Sequence, residues 1–186
     1  MIGYALCGSF CTFRKSLSVM TLLRSAGFEI QPVMSDVAYT TDTRFGTAQS
    51  WIEQIETVCE RPVIHTVKDA EPLGPTVELD ALVISPCTGN TLAKMANGIT
   101  DTAVCMAAKA HLRSDRPLLI ALASNDAMSA NLGNIGTMLR RKQVFFVPMH
   151  QDDPVRKPHS LVADFDLVPE ALDAALEGRQ LRKLFL

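Results

Sequence analysis

Short apolar runs alternate with amphipathic segments from the first residue onward. This alternation predicts an α/β fold: an open parallel sheet of about six strands with helices on both faces. Two further observations agree. At 186 residues the chain has the length of one domain with a sizeable core. Small polar residues also gather where the apolar runs stop, as they do at the carboxyl edge of such a sheet. No linker, internal repeat or low-complexity segment interrupts the pattern, so residues 1–186 are expected to form a single domain.

Each element has a local cause. IGYALCG is an apolar run that stops at Gly8-Ser9. Over residues 13–26, Phe13, Leu17, Met20 and Leu23 recur at helical spacing, and Gly27 closes the helix. FEIQPVM reads as the second strand, ending at Ser35-Asp36. Phe45, Ala48, Ile52, Ile55 and Cys59 mark a second amphipathic helix, and PVIHTV a short third strand before the link DAEPLGPTVE. The run ALVI at 81–84 stops at Ser85-Pro86, followed by Thr88, Gly89, Asn90 and Thr91 and by the helix LAKMAN, closed by Gly98. A helix over 102–112, the strand PLLIALA, a polar turn at Ser124-Asn125-Asp126 and a helix to Arg141 follow. VFFVP is expected as a sixth strand, QDDPVRKPHS as a surface loop, and about 169–177 as a last helix with Gly178 behind it. Crossovers between parallel strands are right-handed, so the expected topology is Rossmann-like.

Composition narrows the function classes. The chain is 47% hydrophobic and 20% charged with a net charge of −2, which describes a folded domain and offers no electrostatic attraction to nucleic acid or an anionic membrane. No apolar run approaches the ~20 residues of a membrane span. MIGYALCGSF lacks the basic flank and long apolar stretch of a signal peptide, so the expected location is the cytoplasm. Cys7, Cys11, Cys59, Cys87 and Cys105 are odd in number and read as reduced thiols. No C-x-x-C occurs and the four histidines are scattered, so no zinc site is expected.

Four strand ends carry small or polar residues: Gly8-Ser9, Ser35, Thr88 to Thr91, and Ser124 to Asp126. Thr88 or Asn90 alone is equally well explained as a helix cap, and Gly8-Ser9 alone as a tight turn. Four hydrogen-bonding positions in a row after 87 exceed what capping needs. Free N–H groups and the positive end of a helix dipole favour an anion there. CGSFCTF has one glycine where the dinucleotide fingerprint G-x-G-x-x-G has three, which argues against NAD on this chain and leaves a mononucleotide.

CGSFCTFRK, VMSDVAYT, VISPCTGNTLAKMANGITDT and ALASNDAMSAN resemble, in order, the motifs of the flavin-containing cysteine decarboxylase group of FMN proteins: a G-S-x-A-A-x-K start, a P-A-S-A-N-T segment and a P-x-M-N-x-x-M-W segment. The resemblance implies FMN as cofactor, its phosphate held by Gly8, Ser9 and Ser35, with Arg14 at the lysine position of the first motif. It sets Thr88, Asn90 and Thr91 along the flavin. Asn125 and Met128 match the asparagine and second methionine of the last motif, beside the ring and the substrate, which implies a catalytic role for Asn125. Ser124 stands where that motif has its first methionine and Ser129 where it has tryptophan. The group's catalytic histidine position falls near Pro72, and His65 lies too far upstream to replace it.

DAEPLGP, AAKAHLR, SNDAMSANLGNIG, FFVPMHQDDP and KPHSLVADF are similar to one branch of this group, from spore-forming bacteria. That branch implies oxidation of a dihydropyridine dicarboxylate to pyridine-2,6-dicarboxylate in the mother cell, jointly with a second protein that carries NAD(P) on a dinucleotide-binding domain. It also implies a homo-oligomer, a trimer or dodecamer. A dicarboxylate needs cationic or N–H partners, and the loop residues Arg156, Lys157, His159 and Ser160 offer them. Lys94 and Lys109 are further candidates, although helix lysines are commonly just solvated. Two alternatives stay open: flavin-dependent cysteinyl decarboxylation, and a non-catalytic scaffold for the partner.

Overall fold

A computed structural model describes residues 1–186. Five strands run parallel: β1 (Ile2–Leu6), β2 (Ile30–Met34), β3 (Ala81–Cys87), β4 (Leu118–Ser124) and β5 (Val144–Phe146). The order is β2-β1-β3-β4, with β5 beside the first half of β4. β1, β2 and β3 are buried along their full length, because helices cover both faces of the sheet. Successive residues therefore feed two separate cores. Ala5, Leu82, Ile84, Leu118, Ile120 and Leu122 pack beneath α5 (Gly89–Ala96), α6 (Ala103–Leu112) and α7 (Leu132–Leu139). Tyr4, Leu6, Val83, Leu119 and Ala121 pack beneath α1 (Phe13–Ser25), α3 (Ala48–Cys59) and α8 (Val168–Leu176). At about 1.5–3 kcal/mol for each fully buried large side chain, these two layers dominate stability. No helix is long and apolar enough to cross a membrane.

Several expected elements differ. PVIHTV does not form a strand; only Ile64 bridges β2, at Val33. Pro62 has no N–H to give a ladder, and Thr66 turns the chain into the short α4 (Val67–Ala70) by accepting from Asp69 N–H at 3.1 Å. The sheet has seven strands rather than six, and it is mostly rather than wholly parallel. β7 (Leu161–Ala163) pairs antiparallel with Ala123 and Ser124 of β4, and β6 (Met149–His150) pairs antiparallel with β7. Residues 151–160 are thus the tip between two short strands. An unforeseen helix, α2 (Asp36–Thr40), follows β2 because the Ser35 hydroxyl caps it. Phe45 lies outside α3, in a turn closed by a bridge between Thr43 and Gly46. The turn after β4 runs on to Asn131, so α7 is shorter than the sequence pattern suggests. All five cysteines are free, and only Cys11 is exposed.

The link after α4 is fastened to α6 through Gly74, which has φ +111. A Cβ there would stand 2.6 Å from the Ala110 carbonyl oxygen and 2.8 Å from His111 Cα. Gly98 also has positive φ, +73, but open space around it. Gly98→Ala should therefore cost about 1 kcal/mol for backbone strain alone, and Gly74→Ala about 3 kcal/mol because overlap adds to strain. Denaturant midpoints of the two variants check the difference; equal losses would show that the link is not held against α6.

Candidate functional site

Strand order brings the four polar strand ends side by side. β1 lies between β2 and β3, so the turn at Gly8-Ser9 sits between Ser35 and the Thr88–Thr91 segment, with Ser124 to Asp126 beyond. This is the crevice where ligands bind in an open α/β sheet. A cavity of about 500 Å³ there is lined by Gly8, Ser9, Thr88, Asn90, Ser124 and Asn125 among others. A second, of about 390 Å³, shares Gly8, Thr88 and Asn90 and adds Ser35, Thr91 and Lys94. A third, of about 530 Å³, contains Arg14 and shares Phe10, Cys11, Arg44 and Phe45 with the first.

Much of the hydroxyl chemistry at this edge is committed to the backbone. Thr88 is the N-cap of α5: its Oγ1 accepts from Thr91 N–H at 3.3 Å and donates to Thr91 Oγ1 at 3.2 Å. Thr91 Oγ1 in turn donates to Cys7 Sγ at 3.2 Å. Burial pushes the Cys7 thiol up to about 12, so it stays protonated and is no nucleophile. Ser35 Oγ accepts from Ala38 N–H at 3.4 Å and keeps its proton for another acceptor. What remains free is the first turn of α5, whose opening N–H groups at Gly89 and Asn90 have no intrahelical partner. The exposed side chains of Asn90 and Asn125 make no hydrogen bond within the chain.

Asp126 organises the far wall. Its Oδ1 accepts from Ser124 Oγ and from Asn131 Nδ2, the latter at 2.9 Å, and Asn131 Oδ1 accepts from Asn134 Nδ2 at 2.9 Å. The Ser124 hydrogen bond, reinforced by Asn131, holds the carboxyl below its ordinary value of 3.8. Gly89 lets α5 approach this cluster: a Cβ there would lie 2.6 Å from Asn131 Nδ2 and 2.8 Å from Asp126 Oδ1. The charged residues lining the cavity balance, with Arg44 and Lys157 against Asp126 and Asp152. Lys157 Nζ is 2.6 Å from Asp152 Oδ2, and this pairing lowers the Asp152 carboxyl and raises the lysine.

The cavities bring together Gly8, Ser9, Ser35, Thr88, Asn90, Thr91, Ser124, Asn125 and Lys157. Arg14 stands one cavity away. Met128, Arg156 and His159 are exposed and line none of these three cavities, while Ser160 is buried. Met128 contributes through its backbone, its N–H donating to the His159 carbonyl at 2.9 Å; that bond seats the 151–160 tip against the turn after β4. Sequence reasoning placed Asp126 at the ligand edge only as part of the Ser124 to Asp126 turn, and missed Asp152, Phe10, Arg44 and Phe45. The position of Arg44, nine residues past Ser35 at a carboxyl-end loop, is a usable signal; placing Phe45 on a helix face hides it.

The Flavoprotein family model matches residues 1–164. The B subunit of dipicolinate synthase of Bacillus subtilis (strain 168) is 40% identical over 185 residues, covering 100% of this chain and 92% of that protein. The crystal structure of the corresponding dipicolinate synthase chain from Bacillus halodurans superposes with TM-score 0.91 at 39% identity, over 100% of this chain and 95% of the other. The crystal structure of the FMN-dependent cysteine decarboxylase SpaF gives TM-score 0.69 at 26% identity, over 95% and 94% of the two chains.

The lowered Asp126 carboxyl has a pH consequence. A depressed native value contributes stability that is complete above the ordinary 3.8 and is lost as pH falls through the lower native value. Asp126→Asn should cost about 1 kcal/mol at neutral pH, after allowing for solvent screening of this half-exposed group. The gap to the wild-type protein should close on acidification below 3.8. Urea titrations across that range test this; a gap independent of pH would mean that Asp126 contributes only by shape.

Proposed function

Because the chain belongs to the Flavoprotein family, we propose that it binds FMN and serves as the B subunit of a dipicolinate synthase. With the A subunit of that enzyme, which carries NAD(P), it oxidises a dihydrodipicolinate-type precursor to pyridine-2,6-dicarboxylate. The observation that carries this reading is similarity over the whole chain to proteins of that name, loops included. The cavity edge suits the cofactor: free N–H groups at the start of α5 and the Ser35 proton match a phosphate, and the uncommitted amides of Asn90 and Asn125 match the polar edge of a ring.

When bound, FMN supplies a two-electron acceptor for a dihydropyridine whose oxidation is driven by aromatisation. The chain's own residues bind and orient. Gly8, Ser9 and Ser35 hold the phosphate end. Asn125, at the tip of β4 in the larger cavity, hydrogen-bonds the reacting ring system and fixes its orientation. Lys157 faces the same cavity with its charge already answered by Asp152, so it donates hydrogen bonds to substrate without adding net charge. The protein works as a homo-oligomer, trimer or dodecamer, in the mother-cell cytoplasm. Cysteinyl decarboxylation is disfavoured because no histidine lines the cavity. Pro72 occupies the expected position, and His65 is stacked on Tyr39 with centroids 3.7 Å apart.

Titration of the purified chain with FMN should show affinity well below the millimolar range; its absence would remove the cofactor assignment. Ser9→Glu and Ser35→Asp should each abolish binding by repelling the phosphate, the latter while preserving the cap on Ala38. Asn125→Leu should leave the fold intact and weaken FMN only modestly, since the phosphate end is held elsewhere, yet lower product formation with the NAD(P)-carrying partner about a hundredfold, the scale of losing one oriented donor. An equal rate from that partner without this chain would make the chain a scaffold.

A further inference from the structure

We propose that Arg44 is the carboxylate anchor of the substrate site and sets its preference for a dicarboxylate over a monocarboxylate; this rests on the dicarboxylate reading above. Charge accounting within the cavity points to it. Asp126 is held by Ser124 and Asn131, and Lys157 is held by Asp152. Arg44 alone among the charged lining residues has neither an ion-pair partner nor a hydrogen bond from its side chain. A planar guanidinium is also the cation best matched to a carboxylate, which it grips with two parallel hydrogen bonds.

An exposed arginine is ordinarily just solvated, and two features set this one apart. The Arg44 Cζ lies 4.9 Å from the centroid of the Phe45 ring, an arrangement that restrains the guanidinium over an apolar wall of the same cavity. The turn that carries it is closed on itself: Thr43 N–H donates to the Gly46 carbonyl at 3.0 Å and Gly46 N–H to the Thr43 carbonyl at 3.1 Å. Asp42 Oδ1 fastens the turn to α3 by accepting from Ala48 N–H at 2.8 Å, and Gly46 is pressed against Trp51, where a Cβ would come within 2.8 Å of Nε1. Little ordering remains to be done when a carboxylate arrives, which favours affinity. With the Lys157 charge answered by Asp152, the second carboxylate takes hydrogen bonds from Lys157 and Asn125 without meeting a second uncompensated cation.

The test measures binding by calorimetry, with the full chain and FMN present, using pyridine-2,6-dicarboxylate and pyridine-2-carboxylate as probes. Arg44→Gln should weaken the dicarboxylate about tenfold to a hundredfold, the range for losing a charge-assisted pair. It should also narrow the preference over the monocarboxylate and leave FMN affinity unchanged. Arg44→Lys, which keeps charge but not the fork, should fall between. Unchanged dicarboxylate affinity in Arg44→Gln, with a wild-type chain that binds it, would overturn this assignment alone. Loss of FMN affinity instead would move Arg44 to the phosphate and overturn it too. A wild-type chain that binds no dicarboxylate would sink the functional reading together with this one.

Discussion

The Asp126 carboxylate ties three pieces of chain into one wall, and the cavity's shape depends on it. It receives the hydroxyl of Ser124 at the end of β4 and the amide of Asn131 just before α7, while Gly89 at the start of α5 packs against it without a side chain. The first two contacts fold the turn after β4 back on itself, which leaves Asn125 standing out at the crest. The third brings the free N–H groups of α5 within the same cavity. Had residue 89 carried even a methyl group, it would displace the Asp126 and Asn131 side chains that close this wall.

Behind that wall the hydroxyls divide into two kinds. Thr88 and Thr91 direct their hydroxyl protons to each other and to Cys7, which fixes the start of α5. Asn90, Asn125 and the opening N–H groups of α5 stay available because nothing in the chain competes for them. Rigid polar groups aimed outward from a buried sheet are what a flavin-type site needs, since the protein's share of such chemistry is orientation and electrostatics. Charge balance adds a second condition. Two carboxylates among the lining residues make the cavity inhospitable to a dianion except where a cation is left over.

The layered architecture is legible in the sequence because both faces of the sheet are covered, so apolar runs and helical spacing survive intact. The convergence of Gly8, Ser35, Thr88 and Ser124 is legible for the same reason, as strand ends mark themselves by a sudden change to small polar residues. What escapes notice depends on contacts made at a distance. Ile64 reads as part of a strand, yet Pro62 and the Thr66 cap limit it to a single bridge. Leu161 and Val162 carry no strand signal of their own after the 151–160 loop, but pair with the end of β4. Phe45 fits a helical face in sequence and lies in a closed turn in space, taking Arg44 with it.

The antiparallel pair β6 and β7 joins β4 through only two of its residues, Ala123 and Ser124; Met149, Leu161 and Ala163 bury it in the core, and it carries the exposed tip with Asp152 and Lys157 to the cavity. Nothing in the parallel sheet, the α5 start or the Gly8-Ser9 turn is built on it. The tip of such a hairpin is free to diverge in length and charge while the edge of the parallel sheet stays fixed. Within one scaffold, then, the charge presented at the cavity mouth is open to drift at a segment whose exchange leaves the parallel sheet untouched.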